Sequence, residues 1–316
     1  GFGGGPVETM IVMEEFGRAL VVEPYVPTVV IGGGFLMDGA PAPLQEEFLP
    51  KIASGETMMA FAFAEPKGRY NLADLATTAK KQGSAYVLNG HKSVVLGGPW
   101  ADQLIVTART GGSGREEKGI SIFLVDKKSN GVSTRDFPTV DGLRASELTL
   151  ENVEVPASRL IGELDNGLPL IERIVDRAIA AHCAEANGAM KVLVDTTVDY
   201  SKTRKQFGQP IGKFQALQHR MVDMFTSYEQ SVSITLMVTL KLAENDKERK
   251  KAASAAKVQT GKAGRHIGQE AVQIHGGIGM TDELNVGHYF KRVTMLDTLF
   301  GNVEHHLRRY AALNAR

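Results

Sequence analysis

The hydrophobic period of this chain changes twice along its length, and that change narrows the fold more than any single motif. Up to about residue 55 apolar residues recur at helical spacing, as in residues 7–20, where Met10, Ile11, Met13 and Phe16 follow an amphipathic pattern. A short helical stretch broken by Pro24 and Pro27 surrounds residues 29–36, and residues 44–54 form a third, with Gly55 as a stop signal. From about 56 to 158 the pattern is that of strands: 57–63, 103–108, 120–125, 132–137 and 147–155, punctuated by Gly, Ser, Asn and Asp. Residues 85–88 and 92–96 flank Asn89-Gly90, a pair that supplies positive-φ residues, so the spacing predicts a tight hairpin there. The 111–118 segment, GGSGREEK, reads as a polar loop. Beyond about 159 the helical period returns in long stretches: 168–200, 214–245, 252–275, 286–299 and 303–313. A charged turn is expected at 246–251, and Gly276-Gly277 closes the third of these helices.

The order is helices, then strands, then helices. It implies an α+β chain with an N-terminal helical domain over 1–55, a central antiparallel β-barrel or sandwich domain over 56–158 and a C-terminal helical bundle over 159–316. It is not the alternation of a doubly wound fold, and the glycines at 1–5, 32–34 and 276–279 do not follow a strand in G-x-G-x-x-G spacing. The 36 Lys+Arg balance 36 Asp+Glu, which argues against broad nucleic-acid binding. A single cysteine, Cys183, excludes an intrachain disulfide framework and a four-cysteine zinc site, and fits a reducing, cytoplasmic compartment. No apolar run approaches the length of a membrane span, since Val29-Val30-Ile31 stops at Gly32-Gly33-Gly34. Residues 1–6 carry neither an initiator Met nor a signal segment, and read as a loop cut from a longer chain.

General catalytic motifs fall away on inspection. Glu304-His305-His306 are neighbours on a helix, pointing roughly 100° apart, so no metal is expected and a solvated helix face is. His182 and Cys183 diverge for the same reason and read as a core histidine and a packed thiol. Ser84, Ser93 and Ser146 lack a G-x-S-x-G setting.

Four ordered segments are more specific. They are Ala64-Glu65-Pro66 after an apolar strand, Leu88-Asn89-Gly90-His91-Lys92, the run from Lys202 through Arg204, Phe207 and Gly208 to Pro210-Ile211-Gly212 and Phe214-Gln215, and Ala271-Val272-Gln273-Ile274-His275-Gly276-Gly277-Ile278-Gly279-Met280-Thr281. Together they resemble the acyl-CoA dehydrogenase family of flavoproteins, over residues 1 to about 313. Phe2-Gly3-Gly4-Gly5-Pro6-Val7-Glu8-Thr9, Lys92-Ser93-Val94-Val95-Leu96 and His288-Tyr289-Phe290-Lys291-Arg292 bring it nearest to the pimeloyl-CoA dehydrogenase small-subunit type. The resemblance implies a helical domain lacking its opening helices, a β-domain and a four-helix bundle. It also implies FAD, an acyl-CoA thioester substrate in fatty-acid degradation, an electron acceptor such as an electron-transfer flavoprotein, and a tetramer with a related large subunit. By the same resemblance Arg204 and Phe207 reach a neighbouring subunit's FAD, Gln273, Gly276 and Gly277 line its adenosine half, and Gln215 follows at a weaker level. A guanidinium suits a pyrophosphate, a phenyl face suits a ring system, and glycine permits close backbone approach.

The departures matter as much. The usual base is a Glu before Gly-Thr; counting forward from Gly277 reaches Phe300, with Gly301 and Asn302 standing at the cofactor-contacting pair. Phe cannot accept a proton. Where relatives carry the base on the first long helix, the count reaches Ala178, and the nearest carboxylate is Asp176, which corresponds to a substrate-touching acid. A substrate-gripping Arg falls at Ile179, with Arg177 nearby. A flavin-side Thr is replaced by Ala64, and a Trp-x-Thr by Val94-Val95-Leu96, the chain's one Trp being Trp100. These residues suggest a subunit that completes a partner's FAD site. The alternatives are a self-sufficient homotetramer with Asp176 as its base, a scaffold that binds no flavin, and a flavin oxidase or monooxygenase. A medium-chain or dicarboxylyl-CoA substrate would pair a distal carboxylate with Arg69 or Arg177, and Met221, Met224, Phe225 and Met237 are candidates for an oligomer face or the bundle core.

Overall fold

A computed structural model describes residues 3–315; residues 1, 2 and 316, and with them Phe2 of the N-terminal motif, lie outside the described residues. The chain divides into two compact units, one of Val22–Ala178 and one joining Gly1–Val21 to Ile179–Arg316.

In the first unit a π-helix, Val26–Gly33, runs directly into the helix α2, Gly34–Gly39. Pro27 sits in its first turn, where a missing N–H costs nothing. Gly32, Gly33 and Gly34, which end the apolar run, lie within this helical stretch, as the expectation over 29–36 had it. A β-carbon on Gly32 would come within 2.8 Å of Met59, and one on Gly34 within 3.0 Å of Ile174, so these positions are emptied for neighbours. The helix α3, Ala42–Ser54, ends at Gly55 with φ +77°.

Eight strands follow: β1 (Met59–Ala62), β2 (Thr78–Gln82), β3 (Ala85–Leu96), β4 (Gln103–Arg109), β5 (Ile120–Asp126), β6 (Val132–Pro138), β7 (Arg144–Pro156) and β8 (Leu160–Ile161). They form one sheet in the order β6-β7-β3-β2-β4-β5-β8, with β1 beside β4. Pairing is antiparallel except where β4 meets β1 and β2. Phe123, Leu124, Leu88 and Leu148 are fully buried in it.

The hairpin expected at Asn89-Gly90 is not formed. β3 continues through both residues, and its register against β7 shifts between Leu88 and Gly90. Gly90 is small because Thr77 occupies the space a side chain would need. Asn89 donates from Nδ2 to Asn152 Oδ1 at 3.1 Å and accepts from the Asn152 amide at 2.9 Å. The hairpin lies one step earlier, where Gln82 pairs with Ala85 around Gly83-Ser84 and Gly83 takes φ +58°. Its first strand, Thr-Ala-Lys-Lys-Gln, is too polar to stand out from a loop.

Below this bulge Lys92 is fully buried. Its Nζ donates to Glu65 Oε1 at 2.7 Å and to the Thr107 carbonyl at 2.8 Å. Glu65 also accepts from the Thr77 hydroxyl at 2.6 Å and the Ala76 amide at 2.6 Å. Burial pushes the Lys92 pKa down to about 8 against the opposing pull of Glu65. Burial raises that of Glu65, but Lys92 and the hydrogen bonds outweigh it and hold the carboxyl below its ordinary value.

The second unit is helical: α1 (Pro6–Ala19), the part of α4 (Leu168–Thr203) from Ile179 onward, α5 (Gln215–Lys241), α6 (Asp246–His275), α7 (Val286–Thr298) and α8 (Val303–Asn314). The charged turn expected at 246–251 is the first two turns of α6. Asn245 caps it, accepting from the Glu248 amide at 3.1 Å, and Asp246 and Glu248 favour the positive end of the helix dipole. α1 and α4 meet backbone to backbone, because a β-carbon on Gly17 would overlap the Glu185 carbonyl and one on Gly188 would overlap that of Glu14. On α5 Met224 is buried, whereas Phe225 is exposed. No helix among the described residues is long and apolar enough to cross a membrane.

Lys92→Ala should cost roughly 3–5 kcal/mol in urea unfolding, since it strands the buried Glu65 charge. Combining Lys92→Met with Glu65→Gln should recover part of that loss.

Candidate functional site

Immediately after α4 the chain makes a minimal hairpin. β9 (Lys205–Gln206) pairs with β10 (Gln209–Pro210) around Phe207-Gly208, and both turn residues have positive φ, +54° and +80°. The Ile211 amide closes it on the Arg204 carbonyl at 2.8 Å. Glycine adopts such a conformation freely, but phenylalanine there costs roughly 1 kcal/mol or more. Phe207 is 92% exposed, so burial within this chain does not offset that cost. Its ring lies T-shaped to that of Phe214, at 6.0 Å between centroids. Arg204 and Gln215 are exposed as well. The hairpin therefore presents an aromatic face beside a guanidinium, a pairing suited to a ring and a phosphate.

A second exposed segment follows α6. Gln273, Gly276 and Gly277 lie on the surface, Gly276 has φ +67°, and β-carbons on both glycines would meet nothing within 4 Å. Open space over bare backbone fits close approach by a ligand.

The third segment, Phe300 to Asn302, has intrachain roles. Gly301 has φ +115° and lies against the His305 and His306 rings, so a side chain has no room. Asn302 caps α8, accepting from the His305 amide at 3.0 Å. Phe300, with φ +56°, stacks on His182 at 6.0 Å. His306 is buried rather than solvated: its Nε2 donates to the Phe300 carbonyl at 3.0 Å and its Nδ1 faces Ser254 Oγ at 3.3 Å. Burial first, then Lys257 and Arg309, push its pKa down to about 3, so the ring is neutral. No group of three metal-ligating side chains occurs among the described residues.

Residue-by-residue reading missed a buried ionic group behind Phe300. Glu185 Oε1 accepts from Arg292 Nε and Nη2, each at 2.6 Å, while Oε2 faces His182 Nδ1 at 3.3 Å. Burial would raise the Glu185 pKa, but Arg292 and His182 outweigh it and hold it at about 2. Burial lowers that of His182. Lys257, also buried and lowered to about 8 by burial, donates to the Leu296 carbonyl. The signal available in the sequence was the three-residue spacing of His182 and Glu185 on one helix. Cys183 is buried and its thiol pKa is raised by burial, a packed thiol as expected.

In the other unit Asp176 is fully buried on α4. Arg177 is bonded to Asp38 at 2.8 Å, and Arg69 is exposed with φ +47°. The Ser93 amide donates to the Ala64 carbonyl at 2.8 Å, while Ser93 Oγ is buried without a hydrogen-bond partner.

Residues 60–153 match the family model for the acyl-CoA dehydrogenase middle domain, and residues 165–313 that for the C-terminal domain. The chain is 34% identical over 299 residues to the 3-(aryl)acrylate reductase of Clostridium sporogenes, covering 93% of this chain and 78% of that one. It is 33% identical to subunit CarC of the caffeyl-CoA reductase-Etf complex of Acetobacterium woodii, over 92% of this chain and 78% of that one. The structure of butyryl-CoA dehydrogenase from Megasphaera elsdenii superposes with a TM-score of 0.93 at 26% identity, covering 100% of this chain and 83% of that one.

Glu185 titrates from 4.5 in the unfolded chain to about 2 when folded, so its stabilising contribution is complete above about 4.5 and is lost as pH falls towards 2. Glu185→Gln should lower stability at pH 7 by about 3 kcal/mol and flatten the acid limb of the stability curve, measured by urea unfolding at several pH values.

Proposed function

The chain belongs to the acyl-CoA dehydrogenase family of oxidoreductases, and we propose that it serves as the small subunit of a heteromeric, FAD-dependent enzyme acting at the α,β carbons of an acyl-CoA thioester. The reading rests on Phe300: the position that the count from Gly277 gives to the family's usual glutamate holds a phenyl ring, which stacks on His182. A chain without that base works beside one that has it.

The nucleotide end of an FAD fits the residues present. Arg204 would meet the pyrophosphate, Phe207 would cover a ring, and the bare backbone at Gly276 and Gly277 would admit the adenosine half, with Gln273 and Gln215 at its edge. The strained, exposed tip at Phe207 makes sense when a partner's cofactor covers it. Gly301 and Asn302, by contrast, are used within the chain, which removes the need to assign them to FAD. Bound FAD supplies a hydride acceptor for the β-carbon. The α-proton would go to a carboxylate of the large subunit.

The finer assignment, a pimeloyl-CoA dehydrogenase small subunit taking medium-chain or dicarboxylyl substrates, rests on the residue 92–96 and 288–292 motifs. One relative is a subunit of a reductase-Etf complex, which supports an electron-transfer flavoprotein as the redox partner. Arg177 is engaged by Asp38, so Arg69 is the better candidate for a distal substrate carboxylate.

A second reading, a self-sufficient enzyme with its own flavin and Asp176 as base, is favoured by Ser93 Oγ. A buried hydroxyl without a partner beside Ala64 invites a ligand that hydrogen-bonds it.

The visible spectrum separates the two. The chain purified alone should lack stoichiometric flavin and acquire the flavin bands only when co-purified with its large subunit. Full flavin occupancy and ordinary turnover by the chain alone would overturn the small-subunit reading. In the assembled enzyme Asp176→Asn should leave the rate of acyl-CoA oxidation unchanged; a large loss would move the base to this chain.

A further inference from the structure

The two nucleotide segments named above are far apart in sequence, and one aromatic pair joins them. Tyr200, in the last turn of α4, accepts at its carbonyl from the Arg204 amide at 2.9 Å, so it forms the root of the hairpin. His275 is the last residue of α6 and precedes the glycine loop. The two rings lie 4.3 Å apart with 31° between their planes, and the Tyr200 hydroxyl donates to the His275 carbonyl at 3.4 Å, across 75 residues. Under the loop, a β-carbon on Gly279 would come within 3.0 Å of the His275 β-carbon, so His275 also forms the floor on which the loop rests.

Packing alone does not call for a histidine here. Its Nδ1 donates to the Ala271 carbonyl at 2.8 Å, which leaves Nε2 as an acceptor, and Nε2 is buried without a partner. A buried polar atom without a partner costs roughly 1–3 kcal/mol, a penalty that a phenyl ring stacked on Tyr200 would avoid.

We propose that Tyr200 and His275 form a positioning clasp that fixes the hairpin of Arg204 and Phe207 relative to the loop of Gly276 and Gly277, so that one adenine dinucleotide engages both. The proposal deepens the FAD reading and rests on it. The clasp works with a neutral imidazole: a proton added at Nε2 would place a buried N–H opposite no acceptor. Burial lowers the His275 pKa and the Ala271 carbonyl partly restores it, while the Tyr200 phenol is the titratable group that faces the ring. The clasp is therefore intact above the ordinary imidazole range and fails as pH falls below it.

Hydrogen–deuterium exchange on the full chain tests the clasp without any cofactor. His275→Ala should speed exchange about tenfold in both segments, at the Ile211 amide bonded to Arg204 and at the Thr281 amide bonded to Ile278, the loss expected for one such interaction. Faster exchange in the loop alone, with the hairpin unchanged, overturns the clasp. If His275→Ala does not fold, Tyr200→Phe must give the same two-segment pattern at smaller size, and an unchanged hairpin in that variant overturns it equally. FAD titration of the chain with its large subunit then separates the clasp from the functional reading. The native protein should lose FAD affinity on acidification, and His275→Phe, which keeps a ring on Tyr200 but cannot take up a proton, should show a flat pH profile. Identical affinities and profiles for the two proteins overturn the clasp's role in binding. A native complex that binds no FAD overturns the functional reading, while the exchange pattern still decides the clasp.

Discussion

Glu185 holds the helical unit together at two levels. Its backbone carbonyl fills the place where residue 17 would otherwise carry a side chain, so this close approach of α1 to α4 requires Gly17, as it requires Gly188 on the other side. Its carboxylate is buried and tied to Arg292 and His182, so α7 is fixed to α4 by a charge pair with little solvent around it. Tyr289, one turn before Arg292, donates to the Arg18 carbonyl and closes the triangle among α1, α4 and α7. A buried pair of this kind adds little net stability over a well-packed apolar pair, but the loss of either member strands a charge. Its value is geometric: both Glu185 oxygens, Arg292 Nε and Nη2 and the Tyr289 hydroxyl find partners in this arrangement of the three helices.

That arrangement also determines what stands behind Phe300. The ring rests on His182, which is held by Glu185, and the Phe300 carbonyl is held by His306. Phe300 to Asn302 are thereby engaged within the bundle, with Phe300 and Asn302 half-buried. The exposed segments proposed to meet a nucleotide, the Phe207 tip and the glycine loop, lie elsewhere on this unit.

Much of this was legible in the sequence because it depends on period. The helices from residue 168 onward and the strands at 103–108 and 120–125 carry long apolar patterns, and the structure places α4, α6, β4 and β5 there. What failed had a local cause. Asn89-Gly90 carries a turn signal, but Gly90 is small because Thr77 packs against it, a contact between residues that no short window joins. The 246–251 charges read as a turn, whereas Asn245 and the helix dipole make them a helix start. At the candidate site, motif positions identified the exposed residues, while the Glu185–Arg292 pair joins residues 107 apart and left only a faint trace in the sequence.

The bulge at Asn89-Gly90 also bears on how the folded protein ages. An asparagine followed by glycine is the dipeptide most prone to lose its side-chain amide, through a cyclic imide formed when the following backbone nitrogen attacks the side chain. That attack needs a free side chain and a flexible backbone. Here the Asn89 amide is held at both its nitrogen and its oxygen by Asn152, and the backbone is fixed between neighbouring strands. Deamidation at this site is therefore slow while the sheet is intact and becomes fast once it opens, so charge heterogeneity at residue 89 records past unfolding.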